Sequence, residues 1–125
     1  MTEKILKGQC QCGNIRFQAD FLPKTLTECT CSICHRLGVR WAYYQVQDVQ
    51  ISERSTPSVV FQWNQKWLNF HHCPQCGCTT HYSLAGKRHQ PEARIALNTR
   101  MCATELVDKI KIRIFDGAET WKYLN

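Results

Sequence analysis

Short runs in which polar and apolar residues alternate, or in which aromatic and β-branched residues cluster, recur along this chain. No run carries the three-to-four-residue period of a long amphipathic helix. Asn14–Ala19 alternates, as does Thr25–Thr27; Trp41–Val46 is aromatic and β-prone, and Val59–Trp63 reads as a buried strand. Trp67–His71, Thr79–Tyr82, Arg94–Asn98 and Lys109–Phe115 complete the strand-like series. Prolines at 23, 57, 74 and 91 punctuate it, and Cys102–Asp108 has room for one helical turn. The pattern predicts a mainly β fold in a single domain of 125 residues, enough to bury one modest core.

Lys109-Ile110-Lys111-Ile112-Arg113-Ile114 is the clearest alternation, with three isoleucines on one face and three bases on the other. Such a stripe either meets an anion or is the solvated face of a strand whose charges discourage edge pairing. The second reading is the simpler one.

The cysteines change the picture. Seven of nine fall into three groups: Cys10 and Cys12; Cys29, Cys31 and Cys34; Cys73 and Cys76. Nothing in Met1–Gln9 resembles a signal peptide and no run approaches membrane-spanning length, so a reducing, cytoplasmic setting and no membrane partner are expected. There, clustered thiols point to metal or catalysis rather than disulfides.

In an extended segment residues i and i+2 face the same way, so Cys10 and Cys12 can share an ion, with Gly13 easing the exit. Cys73-Pro74-Gln75-Cys76-Gly77 has the form of a zinc knuckle. Bringing the two pairs together closes a loop of about 60 residues at roughly 3.5 kcal/mol plus a constant. Structural zinc binding supplies about 10–16 kcal/mol, so the ion dominates.

Cys29, Cys31 and Cys34 could surround a second ion, giving two zincs per chain, one closed by four thiolates and one open. The fourth position of the second falls to water, to substrate, or to a side chain. His35 is badly placed beside Cys34, His81 is a weaker candidate, and His71 or His72 is better sited; Cys78 could also approach a metal. A metal-free redox site is a further alternative. Cys102 reads as core packing.

The formal charge is +6. Seven thiolates around two Zn²⁺ would remove about half of it, leaving a mild preference for anions. The bases are scattered, with no basic run interleaved with aromatics, so a nucleic-acid partner is not expected.

Gly8-Gln9-Cys10-Gln11-Cys12-Gly13, Cys29-Thr30-Cys31-Ser32-Ile33-Cys34 and His72-Cys73-Pro74-Gln75-Cys76-Gly77 resemble, in order and spacing, the motifs of the glutathione-dependent formaldehyde-activating enzyme family. That family includes the centromere protein V type of domain. Ile95–Asn98 and Ile114-Phe115-Asp116-Gly117 resemble its closing strands, so the likeness spans about residues 5–117. His72 and Cys78 depart from the pattern, standing where Phe and a small polar residue are common.

The resemblance implies an Mss4-like zinc-containing β fold. It implies a structural zinc on Cys10, Cys12, Cys73 and Cys76 and a catalytic one on Cys29, Cys31 and Cys34. The implied activity is that of a carbon–sulfur lyase acting on a glutathione adduct of formaldehyde or a similar small carbonyl compound. Arg36 and Arg40, just past the triple-thiol run, are candidates to hold substrate carboxylates. The competing expectation is a non-enzymatic module with both zincs structural, contacting protein or nucleic acid.

Overall fold

Among the described residues, ten short strands in two sheets, read from a computed structural model, carry the fold. The structure describes residues 4–63 and 66–125; the first three residues of the Met1–Gln9 stretch lie outside it. The elements are β1 (Leu6–Gln9), β2 (Ile15–Ala19), β3 (Thr25–Cys29), α1 (Ser32–Leu37), β4 (Trp41–Gln45), β5 (Val49–Glu53) and β6 (Val59–Gln62). They continue with β7 (Leu68–His72), β8 (Thr79–Leu84), β9 (Arg94–Asn98), α2 (Thr104–Val107) and β10 (Lys111–Phe115). None of the described helices is long and apolar enough to cross a membrane.

The smaller sheet has the order β1-β2-β5 and the larger β10-β3-β4-β9-β8-β7-β6. Every pairing is antiparallel except β10 on β3, where Lys111 lies opposite Thr25 and Phe115 opposite Cys29. Alternation along β2 sends Ile15, Phe17 and Ala19 inward and Arg16 and Gln18 to solvent. Leu6, Phe17 and Ala19 of the small sheet pack against Leu26, Ala42, Tyr44, Ile95 and Leu97 of the large one, forming the main core. Apolar burial of this kind drives collapse at about 25 cal/mol per Å².

The opposite face of the large sheet holds a second cluster: Trp41, Phe70, Tyr82 and Ala96, with Cys34 and Val39 laid over them from the α1 region. The large sheet is therefore covered on both sides, and the middle of β8, Thr80–Ser83, is buried throughout.

The eight predicted strands are present, and the one-turn helix falls at Thr104–Val107. The expectation of a buried Val59–Trp63 is overturned. β6 is the last strand of the large sheet, and Val59, Val60, Phe61 and Trp63 are 43–49% exposed. Apolar content marked it as a strand, but its place at the edge leaves it uncovered. The Lys109–Ile114 strand begins at Lys111 and sits at the other edge. Lys111 is exposed there, and Arg113 stacks on Tyr123 with its guanidinium 3.9 Å from the ring centroid. Three elements were not predicted: β1, whose single buried apolar residue gives no period; β5, where Val49 and Ile51 do alternate; and α1.

Candidate metal centres

Cys10 and Cys12 lie on the tight turn joining β1 to β2, not on an extended strand as their spacing suggested. Gly13 leaves that turn at φ +82°, and Gly77 leaves the second knuckle at φ +78°, a region that favours glycine. The turns aim four sulfurs at one point. Cys10 Sγ is 3.7 Å from Cys12 Sγ, Cys12 Sγ is 3.6 Å from Cys73 Sγ, and all four, Cys76 included, lie within 4.8 Å of one another. A tetrahedral ion with Zn–S of about 2.3 Å requires sulfurs about 3.8 Å apart. The donor set fits zinc.

Backbone and side-chain N–H groups support these sulfurs. Ile15 N donates to Cys10 Sγ at 3.3 Å, Gln75 N to Cys73 Sγ at 3.4 Å, and Asn14 Nδ2 to Cys73 Sγ at 3.5 Å. Asn14 is buried and also donates to Thr56 O, while its Oδ1 accepts from Ser55 N and Thr56 N. One amide thus ties the loop after β5 to the cluster. Burial disfavours the Cys76 thiolate, yet N–H groups of Cys78 and Cys12 and the sulfurs of Cys10 and Cys73 lower its pKa to about 6. Cys78 belongs to this neighbourhood: its backbone carbonyl accepts from Cys73 N, and its thiol faces Cys76.

The second cluster is built differently. Cys29 ends β3, Cys31 caps α1 and Cys34 sits in the first turn of that helix. Cys34 N donates to Cys31 Sγ at 3.5 Å, and Gly38, at φ +67°, closes the helix after one and a half turns. The three sulfurs lie within 4.8 Å of one another. Trp41 Nε1 donates to Cys34 Sγ at 3.4 Å from beneath. The segment after β10 walls the other side. Gly117 approaches so closely that a Cβ there would lie 2.6 Å from Cys29 Sγ. Thr30 Oγ1 donates to Asp116 Oδ1 at 2.9 Å and pins that segment in place.

The hydrogen bond with Cys34 lowers the Cys29 pKa to about 6 against the cost of its burial, helped by the N–H groups of Cys31 and Gly117. The same bond and burial push Cys34 up. The sulfurs thus share fewer than three protons near neutral pH, an electron-rich set suited to a borderline-soft cation.

None of the proposed fourth ligands joins this group among the described residues. His71 uses both ring nitrogens elsewhere, Nδ1 with Ser58 Oγ at 2.8 Å and Nε2 with Ser83 Oγ at 2.9 Å. It stacks on His81 with centroids 4.0 Å apart. The β7 register turns Phe70 towards the triple-thiol face and His71 to the other. His72 is half-buried outside the group and His35 is exposed on α1.

Arg40 is engaged: its Nη2 and Nε donate to Glu28 Oε1 at 2.6 and 2.9 Å. Arg36 is exposed on α1 and, among the described residues, donates only to Ser32 O. The sequence reading missed Arg94. The registers of β4, β9 and β8 put it on the same face as Tyr43, Ala96 and Tyr82, which is the face carrying Cys34. Its guanidinium lies 4.2 Å from the Tyr43 ring and makes no ion pair among the described residues. Burial pushes the Tyr43 and Tyr82 phenols up, Arg94 opposing it, so both remain protonated donors. No local spacing links Arg94 to Cys34, so only strand order could reveal it. A surface concavity lined by Lys7, Arg16, Gln50 and Met101 among others lies against the small sheet, and none of the triple-thiol residues lines it.

No curated protein gives a significant match to this chain. A crystal structure of a Rhodobacter sphaeroides protein, a structural-genomics target, superposes with a TM-score of 0.66 at 21% identity, covering 86% of this chain and 99% of that one. It shares the fold. The family model for the glutathione-dependent formaldehyde-activating enzyme matches residues 5–115 and so takes in all three cysteine motifs. With seven thiols gathered into a closed four and an open three on that fold, the chain belongs to the glutathione-dependent formaldehyde-activating enzyme family.

Proposed function

We propose that this protein is a zinc-dependent carbon–sulfur lyase-type enzyme that joins glutathione, or a related carboxylate-bearing thiol, to formaldehyde or a similar small carbonyl compound. The observation that carries the reading is the triple-thiol cluster with no fourth protein donor gathered to it among the described residues. Cys10, Cys12, Cys73 and Cys76 would hold a structural zinc; Cys29, Cys31 and Cys34 would hold a second. Bound there, that ion supplies Lewis acidity and one coordination position for an exogenous thiol.

The remaining work falls to side chains. Trp41 Nε1 fixes Cys34 Sγ, and the Gly117 backbone fixes Cys29 Sγ, so the sulfurs are held before substrate arrives. Arg94, with Arg36 from the α1 side, would take substrate carboxylates; Arg40 could join only by releasing Glu28. In the forward direction the thiol sulfur forms a bond to the carbonyl carbon, the carbonyl π pair moves to oxygen, and the thiol proton ends on that oxygen. Atoms balance without a further reactant. The protonated phenols of Tyr43 and Tyr82 would steady the developing oxyanion.

The test is a native mass spectrum of the zinc-loaded chain with and without glutathione, alongside the visible spectrum of the cobalt-substituted protein. The expected result is two metals per chain, a glutathione adduct lost in Cys31→Ala, and a cobalt spectrum changed by glutathione. Arg94→Met should weaken glutathione binding while leaving 2-mercaptoethanol, a thiol without a carboxylate, unaffected. Unchanged metal coordination at saturating glutathione would refute the reading.

A further inference from the structure

The two edges of the large sheet are finished differently. At the β10 edge the chain covers itself: Leu124 N donates to Ile114 O at 2.8 Å and Ile114 N to Asn125 Oδ1 at 2.9 Å. Phe115 and Tyr123 form a bridge there, and Lys111 adds an exposed charge. The β6 edge has neither device. Its inner side pairs with β7, Val60 opposite His71 and Phe61 opposite Phe70, and beyond that pairing its backbone makes no hydrogen bond among the described residues.

No charged residue occurs from Ser55 to Gln65, and β6 contains neither proline nor a bulge. Those are the usual means by which an edge strand is kept from pairing. The strand is also held firmly. Ser58 N donates to Glu53 Oε2 at 2.7 Å and Ser58 Oγ meets His71 at its start. Val59, Val60 and Phe61 are 44, 43 and 47% exposed, so apolar surface appears on both faces of the edge, and Trp63 and Trp67 beside it are 49 and 52% exposed.

We propose that β6 is the dimer interface of this protein, pairing antiparallel with β6 of a second copy about a two-fold axis. The axis stands perpendicular to the sheet and passes beside Val60. A second copy is the occupant this edge fits because a self-complementary neutral strand closes after one partner, and because both exposed backbones are satisfied at once. The two-fold preserves the facing of side chains, so residues of like parity must meet. Val60 then faces Val60 of the twin strand, Val59 faces Phe61, and Ser58 faces Gln62. These are β-branched, aromatic and polar pairs that stabilise strands.

The area is sufficient. Phe61 and Trp63, each about half exposed, present roughly 200 Å² per copy at ~200 Å² each, whereas Trp67, on the β7 side, is already stacked with Arg88. With two valines and the strand backbone, the total for both copies reaches on the order of 1,000 Å², the scale of a specific interface. The proposal is independent of the chemistry at either cysteine cluster.

Sedimentation velocity of the zinc-loaded full chain from 1 to 100 µM tests it. The expected species at high concentration has twice the 14.6 kDa chain mass. Val60→Lys and Val60→Glu should each weaken the dimer at least a hundredfold, since each sets like charges face to face, and mixing the two should restore a heterodimer. Because Val60 is exposed, circular dichroism and zinc content should stay as in the parent chain. Should either variant misfold, Val60→Ala, which removes the β-branched cross-strand contact without adding a charge, must still weaken the dimer. A monomeric parent at 100 µM overturns the proposal. So does a dimer unaffected by these substitutions, or a mixture that stays monomeric.

Discussion

Replacing Gly117 by Ala tests whether the triple-thiol cluster is a site shaped to hold three sulfurs. A Cβ at that position would lie 2.6 Å from Cys29 Sγ and 3.2 Å from Cys31 Cβ. Ordinary contact begins near 3.4 Å or more, so the sulfur or the 116–118 backbone must move by about 1 Å. Zinc–ligand distances tolerate about 0.2 Å, and overpacking a close-packed site costs about 1–3 kcal/mol. At about 1.4 kcal/mol per tenfold, affinity for the second ion should fall about 5- to 150-fold, while the four-cysteine site serves as an internal control. Competition with a chromophoric chelator, read with native mass spectrometry, should show the parent chain keeping two ions and Gly117→Ala losing one at the same chelator concentration. Two ions held with parental affinity would refute the steric argument.

Trp41→Phe keeps a ring under Cys34 but removes the N–H donated to its sulfur. With hydrogen bonds to charged groups worth about 1.5–3 kcal/mol, the second ion should bind about 10- to 150-fold more weakly by the same competition assay. Asn14→Ala strips a buried amide from Cys73, Ser55 and Thr56 together. Urea unfolding of the zinc-loaded chain should show a loss of about 2–4 kcal/mol, on the scale of two orphaned partners. His81 is 4% exposed, stacked on His71, and burial followed by that neighbour holds its pKa down at about 3 against 6.5. The unfolded chain therefore takes a proton below pH 6.5 that the folded chain refuses, so this stability is full above 6.5 and is lost as pH falls towards 3. Between pH 7.5 and 5.5, the parent should lose about 1.4 kcal/mol more than His81→Gln in urea titrations. The shared cysteines cancel in that difference, and parallel pH slopes would refute the assignment.

The family motifs were legible because they are local. Two thiols separated by one or two residues, followed by a glycine, state a turn and its ligands within six residues. Gly13 and Gly77 adopt the positive φ that such turns require. Strands were legible where one face is buried and the other wet, as in β2, or where the sequence itself alternates, as in Lys111–Phe115 of β10. β1 was not, because its one buried apolar residue, Leu6, leaves no period. α1 was hidden because its ligands dominate its short sequence; Ile33 and Leu37 carry a helical spacing that only six residues express.

By itself, then, the sequence determined the strand-rich character and the identity of the seven clustered thiols, since alternation and ligand spacing are properties of neighbouring residues. Tertiary structure decided everything that depends on strand order. An apolar run reads alike at the centre and at the edge of a sheet, so only the seven-strand order exposes β6. Histidines 71 and 81 qualified as ligands by type, yet the pleat turns them to the face opposite Cys34. Arg94 and Gly117, 60 and 83 residues from Cys34 in the chain, reach its neighbourhood through pairing of β4 with β9 and of β3 with β10. Short-range spacing fixes which atoms can bind an ion, whereas the packing of distant strands fixes what stands around it.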